Sequence, residues 1–270
     1  MNYEKIIELV YKTKDIVFSK PDVLMVEMKS AYAFVTAVDF KISDFLKDEL
    51  FKLYPDVGFM TEEEQNHLLK DKCFILDPID GTTNLVYDYK MSSISLAYVE
   101  NRRVQFGVVF NPFTNEMFFS VRGKGAHFYS TRFGLKRLLQ IGLENYSFDT
   151  LSVSARPLKN ALVEFGAGSS HKDEADETFL RAKRVFTNCL DLRRICSTAI
   201  AICYIACGRL DGYFEKVIKP WDYAAGILIL EEAGGVSSDW QGEALPLDKA
   251  GTIICANAAA HEDLKTLVNG

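Results

Sequence analysis

The sequence predicts a mixed fold of helices and sheet, of the α+β or mixed α/β kind, on three observations. Apolar residues recur at three-to-four spacing in the first fifth of the chain, β-rich runs broken by turn residues fill Ser92 to Phe128, and helical and strand-like patterns alternate after Arg156-Pro157. A chain of 270 residues suffices for one large or two modest domains of about 150 residues.

The first helical stripe runs from Tyr3 to Ser19, where Ile6, Leu9, Val10, Thr13, Ile16 and Val17 share one face. A second, with Ile42, Phe45, Leu46, Leu50 and Leu53, covers Phe40 to Tyr54 and stops at Pro55, which cannot continue a helix. Val57 to Met60 and Cys73 to Leu76 are short apolar strand candidates on either side of the polar Gln65 to Lys72. Ser93 to Val99, Val104 to Phe110 and Glu116 to Val121 follow as strands split by turn residues, which reads as an antiparallel meander. In the last third, Ser197 to Cys207, Asp222 to Ala233 and Ala259 to Val268 suit helices, and Asp211 to Glu215 and Thr252 to Cys255 suit strands. Neither an internal repeat nor a low-complexity linker interrupts the chain. Two lobes are therefore expected to form one compact unit: 1–150, with the N-terminal helices and the antiparallel sheet, and 151–270, of α/β character.

Hydrophobic residues at 48% against 25% charged exclude intrinsic disorder. With 31 Lys and Arg against 37 Asp and Glu, the net charge of −6 offers no basic field, so nucleic acid is not expected as the primary partner. The charged start Met1-Asn2-Tyr3-Glu4-Lys5 lacks the apolar core of a secretory signal. The longest apolar runs, Ala199 to Cys207 and Ala224 to Leu230, fall short of the roughly 18 to 20 residues of a membrane span. A cytoplasmic protein that stays off the membrane is expected. Six cysteines without a CxxC pair argue against a zinc knuckle or thioredoxin motif and are expected as reduced thiols, with Cys203 and Cys207 packing in an apolar helix.

The strongest chemical signal is Asp77-Pro78-Ile79-Asp80-Gly81-Thr82-Thr83-Asn84, directly after an apolar strand candidate. Pro78 biases Asp77 toward extended backbone, so Asp77 is expected to end the strand, with Asp80 converging on it from the following turn. Gly81 permits close backbone approach, and Thr82-Thr83-Asn84 would open a helix whose free N–H groups suit an anion. Glu62-Glu63-Glu64 follows another strand candidate, and Asp222 stands at a helix start after Pro220. Carboxylates at three element ends, without paired His or Cys, suit hard ions such as Mg²⁺ or Mn²⁺ rather than zinc.

The octapeptide, together with Trp221-Asp222-Tyr223-Ala224-Ala225-Gly226-Ile227 and Glu231-Glu232-Ala233-Gly234-Gly235, resembles the two signature motifs of the inositol monophosphatase family of Mg²⁺-dependent, lithium-sensitive phosphatases. The likeness extends to Val35-Thr36-Ala37-Val38-Asp39, Phe59 to Glu63, Arg193 to Ala199 and Gly208 to Glu215, nearly the whole chain. It implies a layered α-β-α-β-α sandwich, of the kind shared with fructose bisphosphatases, with the main metal motif in lobe 1–150 and Asp222 and the substrate pocket in lobe 151–270. It also implies a homodimer and two or three Mg²⁺ ions. Metal ligation falls to Glu62, Asp77, the Ile79 carbonyl, Asp80 and Asp222. Glu62 and Thr82 would orient the attacking water, and Asp39 would hydrogen-bond Thr82. Asp80, the backbone of Gly81 and Thr82, Ser197, Thr198, Glu215 and Asp222 would bind the phosphate and its alcohol. Lys29 matches a basic position facing the metals.

The chain departs from the family at the pocket floor, where a small Gly-Ser/Thr-Ala-Ala run becomes Cys196-Ser197-Thr198-Ala199, and at Thr61, where glycine is usual. Added bulk at Cys196 and Thr198 bears on whether an inositol ring fits. Glu215 keeps a polyol or sugar phosphate as the leading substrate class. Fructose bisphosphate, histidinol phosphate and the phosphate of a nucleotide such as NADP or phosphoadenosine phosphate are the alternatives. A regulatory binding protein on the same fold is the reading from outside enzymology.

Overall fold

Helix α1 (Tyr3–Val17) starts where Asn2 is extended and its side chain accepts the Lys5 N–H at 3.0 Å, satisfying a first-turn donor. Helix α2 (Ala37–Leu53) begins three residues before the predicted Phe40, because Thr36 and Asp39 form a capping box that an apolar stripe does not register. The computed structural model describes residues 1–19, 26–30, 33–64, 67–131, 149–168 and 171–270. Through Ile6, Leu9 and Val10 on α1 and Val38, Ile42 and Leu46 on α2, the two helices cover one face of a seven-stranded sheet.

That sheet runs in chain order: β3 (Gly58–Thr61), β4 (Lys72–Asp80), β5 (Ser93–Glu100), β6 (Arg103–Asn111), β7 (Glu116–Val121), β8 (Ala126–Ser130) and β9 (Asp149–Thr150). Only the β3–β4 pair is parallel; from β4 to β9 neighbours are antiparallel, so the expected three-strand meander gains β4, β8 and β9. A separate hairpin, β1 (Val26–Ser30) with β2 (Ala33–Thr36), precedes α2 and was not singled out from sequence, although Val26 and Met28 alternate with Glu27 and Lys29. In β4 every residue but Lys72 is buried: Phe74 and Leu76 face the cluster with α1 and α2, and Cys73 and Ile75 face the opposite cluster. Strands buried on both faces read as continuous apolar runs, which is why the sequence exposed them so clearly.

The opposite face of the sheet is covered by α5 (Thr198–Ala206) and α6 (Pro220–Glu232), following the short α3 (Thr82–Val86) and α4 (Ala175–Phe186) in the chain. Both α5 and α6 are buried almost all round because a second sheet lies beyond them. This sheet has the order β11-β10-β12-β14-β13, formed by β10 (Leu162–Phe165), β11 (Asp191–Arg193), β12 (Gly212–Ile218), β13 (Gly235–Ser238) and β14 (Gly251–Asn257). Its outer face packs on α4 and α7 (His261–Asn269) through Val163, Phe214, Ile254, Val185 and Leu264. The layers are therefore α-β-α-β-α, as the resemblance implies. Helix α4 was not singled out from sequence although Ala175, Phe179, Ala182 and Phe186 recur at helical spacing; it buries only Ala182 and Val185 and leaves Phe179, Leu180 and Phe186 exposed. No helix among the described residues is long and apolar enough to cross a membrane, and all six cysteines are free.

Close packing of α6 on β6 depends on Gly107, where a Cβ would lie 2.7 Å from the Ala225 carbonyl oxygen and 2.9 Å from its Cα. Gly107→Ala is expected to force helix and sheet apart at a cost of about 1–3 kcal/mol, seen as a lower urea midpoint at unchanged slope. An unaltered midpoint would show that the contact yields freely.

Candidate active site

The chemistry of the octapeptide rests on a β-bulge. Asp77 pairs with Ser95 and Asp80 with Ser93, so three steps along β4 oppose two along β5. Residues three apart on a regular strand face opposite sides; the extra residue returns Asp80 to the side of Asp77. The expectation that Asp77 ends the strand at Pro78 is thereby corrected. Pairing resumes at Asp80, since a bulge tolerates the N–H that proline lacks. The Ile79 N–H donates to Asp77 Oδ1 at 3.0 Å, holding the bulge. Gly81 then takes φ +85°, where a side chain would also meet the Met91 and Cys196 carbonyl oxygens at 3.0 and 3.1 Å. The helix expected after it is present but lasts only five residues.

Four other elements deliver side chains to the same place. The Thr82 hydroxyl lies 3.1 Å from the Ile79 carbonyl oxygen and 3.4 Å from Asp39 Oδ1. Asp39 Oδ2 accepts both the N–H and the hydroxyl of Thr36, at 2.9 and 2.6 Å, so this buried carboxyl caps α2 and reaches Thr82 at once. Asp80 accepts the Ser197 hydroxyl and the N–H groups of Thr198 and Ala199, at 3.2 and 2.8 Å, which makes it the cap of α5 across the layer boundary. Asp222, in the first turn of α6, accepts the Lys219 N–H at 2.9 Å. Glu62 follows β3, its N–H bonded to the Leu76 carbonyl at 3.3 Å. Thr61 before it is buried and takes the Ser43 hydroxyl at 3.4 Å, which gives the departure from glycine a packing role.

One cavity of about 520 Å³ is lined by Glu62, Asp77, Ile79, Asp80, Gly81, Thr82, Ser197, Thr198, Glu215 and Asp222. Asp39 stands behind its wall, touching Thr82. The Lys29 side chain lies outside the described residues. Thr198 bonds the Tyr213 hydroxyl at 2.9 Å, and that hydroxyl also bonds Glu215. Cys196 is exposed on the wall with φ +60°, a left-handed conformation that glycine adopts more readily. Three contributors were not singled out from sequence. Tyr213 is one; Asn84, which donates to the Met91 and Ile195 carbonyls at 2.7 and 2.8 Å, is another. The third is Glu164 on β10, for which a lone acid in an apolar run gives no signal.

Burial raises the carboxyls of Asp39, Asp77, Asp80, Glu164, Glu215 and Asp222. Asp77 is held well above the usual carboxylate range by desolvation and then by the charges of Glu62, Asp80 and Asp222. Desolvation likewise raises Asp222, reinforced by Glu62 and Asp80. Asp80 rises only to about 6, because the Ser197, Ala199 and Thr198 donors favour its anion. Asp39 and Glu215 reach about 7 and Glu164 about 8, each through burial. The charges that bear most on Asp77 and Asp222 are all negative. Such a wall of oxygen donors with surplus negative charge fits a hard divalent cation. Among the described residues, no three His, Cys, Asp or Glu side chains stand close enough to grip an ion as they are.

The sequence model of the inositol monophosphatase family matches residues 3–269. An inositol-1-monophosphatase of Rhizobium meliloti is 30% identical over 253 residues, covering 93% of this chain and 88% of the relative. The Nus factor SuhB of Escherichia coli is 33% identical over 227 residues, 83% of this chain and 79% of the relative. Among solved structures, an IMPase from Thermotoga maritima superposes with a TM-score of 0.82 at 29% identity, covering 99% of this chain and 96% of the other.

Glu164 offers a direct check on the electrostatics. Its native pKa of about 8 stands above the ordinary 4.5, so the folded state keeps a proton that the unfolded chain loses. Its contribution therefore turns unfavourable as pH rises from about 4.5 to about 8 and is constant beyond. Metal-free Glu164→Gln should gain stability relative to the metal-free parent across that window, measured by urea melts at several pH values. A pH-independent difference would contradict the raised pKa.

Proposed function

The chain belongs to the inositol monophosphatase family, and on that premise we propose that it is a Mg²⁺-dependent phosphatase that hydrolyses inositol monophosphate or a related sugar or polyol phosphate. The observation that carries this reading is the bulge that turns Asp77 and Asp80 to one side, beside the Gly81–Thr82 backbone and opposite Asp222. Glu62, Asp77, the Ile79 carbonyl, Asp80 and Asp222 would hold two or three Mg²⁺ ions, with Mn²⁺ of the same chemistry. When bound, such ions lower the pKa of water and shield the charge that builds on the phosphate and the leaving oxygen. The protein supplies position. The Thr82 hydroxyl, steered by Asp39, orients the attacking water together with Glu62. The Gly81 and Thr82 N–H groups hold phosphate oxygens. Asp80, tied to Ser197 and Thr198, fixes the metal side of the cavity against the alcohol side, where Glu215 accepts substrate hydroxyls. Lithium sensitivity, a homodimer and a cytoplasmic location belong to the same reading. Fructose bisphosphate, histidinol phosphate and nucleotide phosphates are the competing substrates. Identity of 33% to a protein named as a Nus factor supports a second reading, a regulatory binding role on this fold. Phosphate release with and without Mg²⁺ separates the two.

Asp222→Asn retains an acceptor for the Lys219 N–H but removes a charge from the cluster. Phosphatase activity should be nearly lost while the circular dichroism spectrum and the melting temperature are retained. Wild-type turnover with unchanged Mg²⁺ dependence would refute its assignment as a ligand.

Thr82 has two roles that one substitution divides, since its N–H survives when its hydroxyl is removed. Thr82→Ala should spare KM and lower kcat by about 10²-fold, and Thr82→Ser should recover much of the rate. An alanine variant with normal kcat and a reduced melting temperature would instead make Thr82 a helix-start residue only.

A further inference from the structure

The alcohol side of the cavity contains a carboxyl that the proposed reaction leaves unused. Glu164 lies on β10 beside β12, paired in register with Tyr213, two residues before Glu215. It is 1% exposed and belongs to the cavity lining. Its Oε1 accepts the N–H groups of Ile195 and Cys196 at 2.8 and 3.2 Å. Its Oε2 is buried and has no hydrogen-bond partner among the described residues.

Two features set this group apart from a simple brace. Holding the Ile195–Cys196 turn requires one oxygen, which a neutral amide would provide without the desolvation cost of a carboxyl. A bare second oxygen is itself unfavourable unless something supplies a donor. The turn is also rigid: Asn84 donates to both its carbonyls, at 2.8 and 3.4 Å, while Cys196 stays in its left-handed conformation. A rigid wall bearing an unpaired acceptor is suited to reading a ligand. Glu215, the neighbouring acceptor, already bonds the Tyr213 hydroxyl through one oxygen. Together the two glutamates offer separate acceptors, which matches an alcohol carrying at least two free hydroxyls.

Building on the phosphatase reading, we infer that Glu164 is a specificity-determining residue: Oε1 fixes the Ile195–Cys196 turn, and Oε2 of the ionised carboxyl accepts a hydrogen bond from a hydroxyl of the leaving alcohol. This selects polyol and sugar phosphates over esters without free hydroxyls. The hydroxyl that Glu164 reads is distinct from the one that Glu215 reads.

Glu164→Gln keeps an oxygen for the turn but presents an NH₂ group where Oε2 stood. At about pH 9, above the value of about 8 at which Glu164 ionises, the parent enzyme and this variant are compared, with Mg²⁺ present, on inositol phosphate, sorbitol phosphate, glycerol phosphate and p-nitrophenyl phosphate. The ratio of kcat/KM for the best polyol ester to that for p-nitrophenyl phosphate should fall roughly tenfold or more, chiefly through KM. Single-deoxy analogues of that best ester supply a second measurement that does not rely on the variant alone. One analogue should lose efficiency with the parent enzyme and show no further loss with Glu164→Gln. An unchanged ratio, or equal losses on every ester, overturns the inference while leaving the phosphatase reading intact. A parent enzyme inactive on all four esters overturns both.

Discussion

The bond between Asp80 and the start of α5 is the constraint on which the site depends. A helix begins with N–H groups that have no partner inside it, and two of these, with the Ser197 hydroxyl, close on a carboxylate from the end of β4. The charge also lies favourably along the helix dipole. Strand and helix belong to adjacent layers, so this contact fixes how the seven-stranded sheet meets the Cys196–Thr198 wall of the cavity. The cavity opens where these layers join, and Asp80 serves both sides of it.

That arrangement concentrates negative charge in a buried place. Desolvation alone would drive these carboxyls toward their neutral forms, and each ionised neighbour adds to the effect. Local backbone geometry nevertheless holds them together: the bulge sets Asp77 and Asp80, the α2 capping box sets Asp39, and the first turn of α6 sets Asp222. Each device satisfies its own hydrogen bonds, so the fold tolerates a cluster that is unfavourable as a whole. Sites organised this way are suited to a cation, whose binding relieves the repulsion that the scaffold maintains.

The wall of the cavity formed by Cys196, Thr198 and Tyr213 follows a different logic. There Cys196 stands in a conformation suited to glycine, and the strain is borne by Glu164 and Asn84, which grip the turn from opposite directions. Thr198, enlarged relative to the family pattern, directs its hydroxyl to Tyr213. The two larger residues thus take part in a network with Tyr213, Glu164 and Glu215, and the pocket differs from a plain small-residue floor in its polar wall.

The sequence by itself determined most of the elements and, through its resemblance to a known family, their layering and the acidic residues that line the cavity. Apolar runs buried on both faces announced the meander and amphipathic stripes announced α1, because these signals are local and follow the periods of strand and helix, while acids at three element ends pointed to oxygen donors for a hard ion and the family resemblance gathered them into one site. It did not yield the bulge, since whether one extra residue is accommodated depends on how β5 pairs with β4. Nor did it yield the role of Glu164. Its partners at Ile195 and Cys196 lie more than thirty residues away, and a single acid in a short strand looks the same in sequence whether its oxygens face water or a buried turn. The start of α2 was missed for a related reason: a cap is made by hydrogen bonds from Thr36 and Asp39, not by hydrophobic period. Which groups meet across layers is decided by tertiary packing, because the energies of pairing, burial and repulsion arise only once distant segments are brought together.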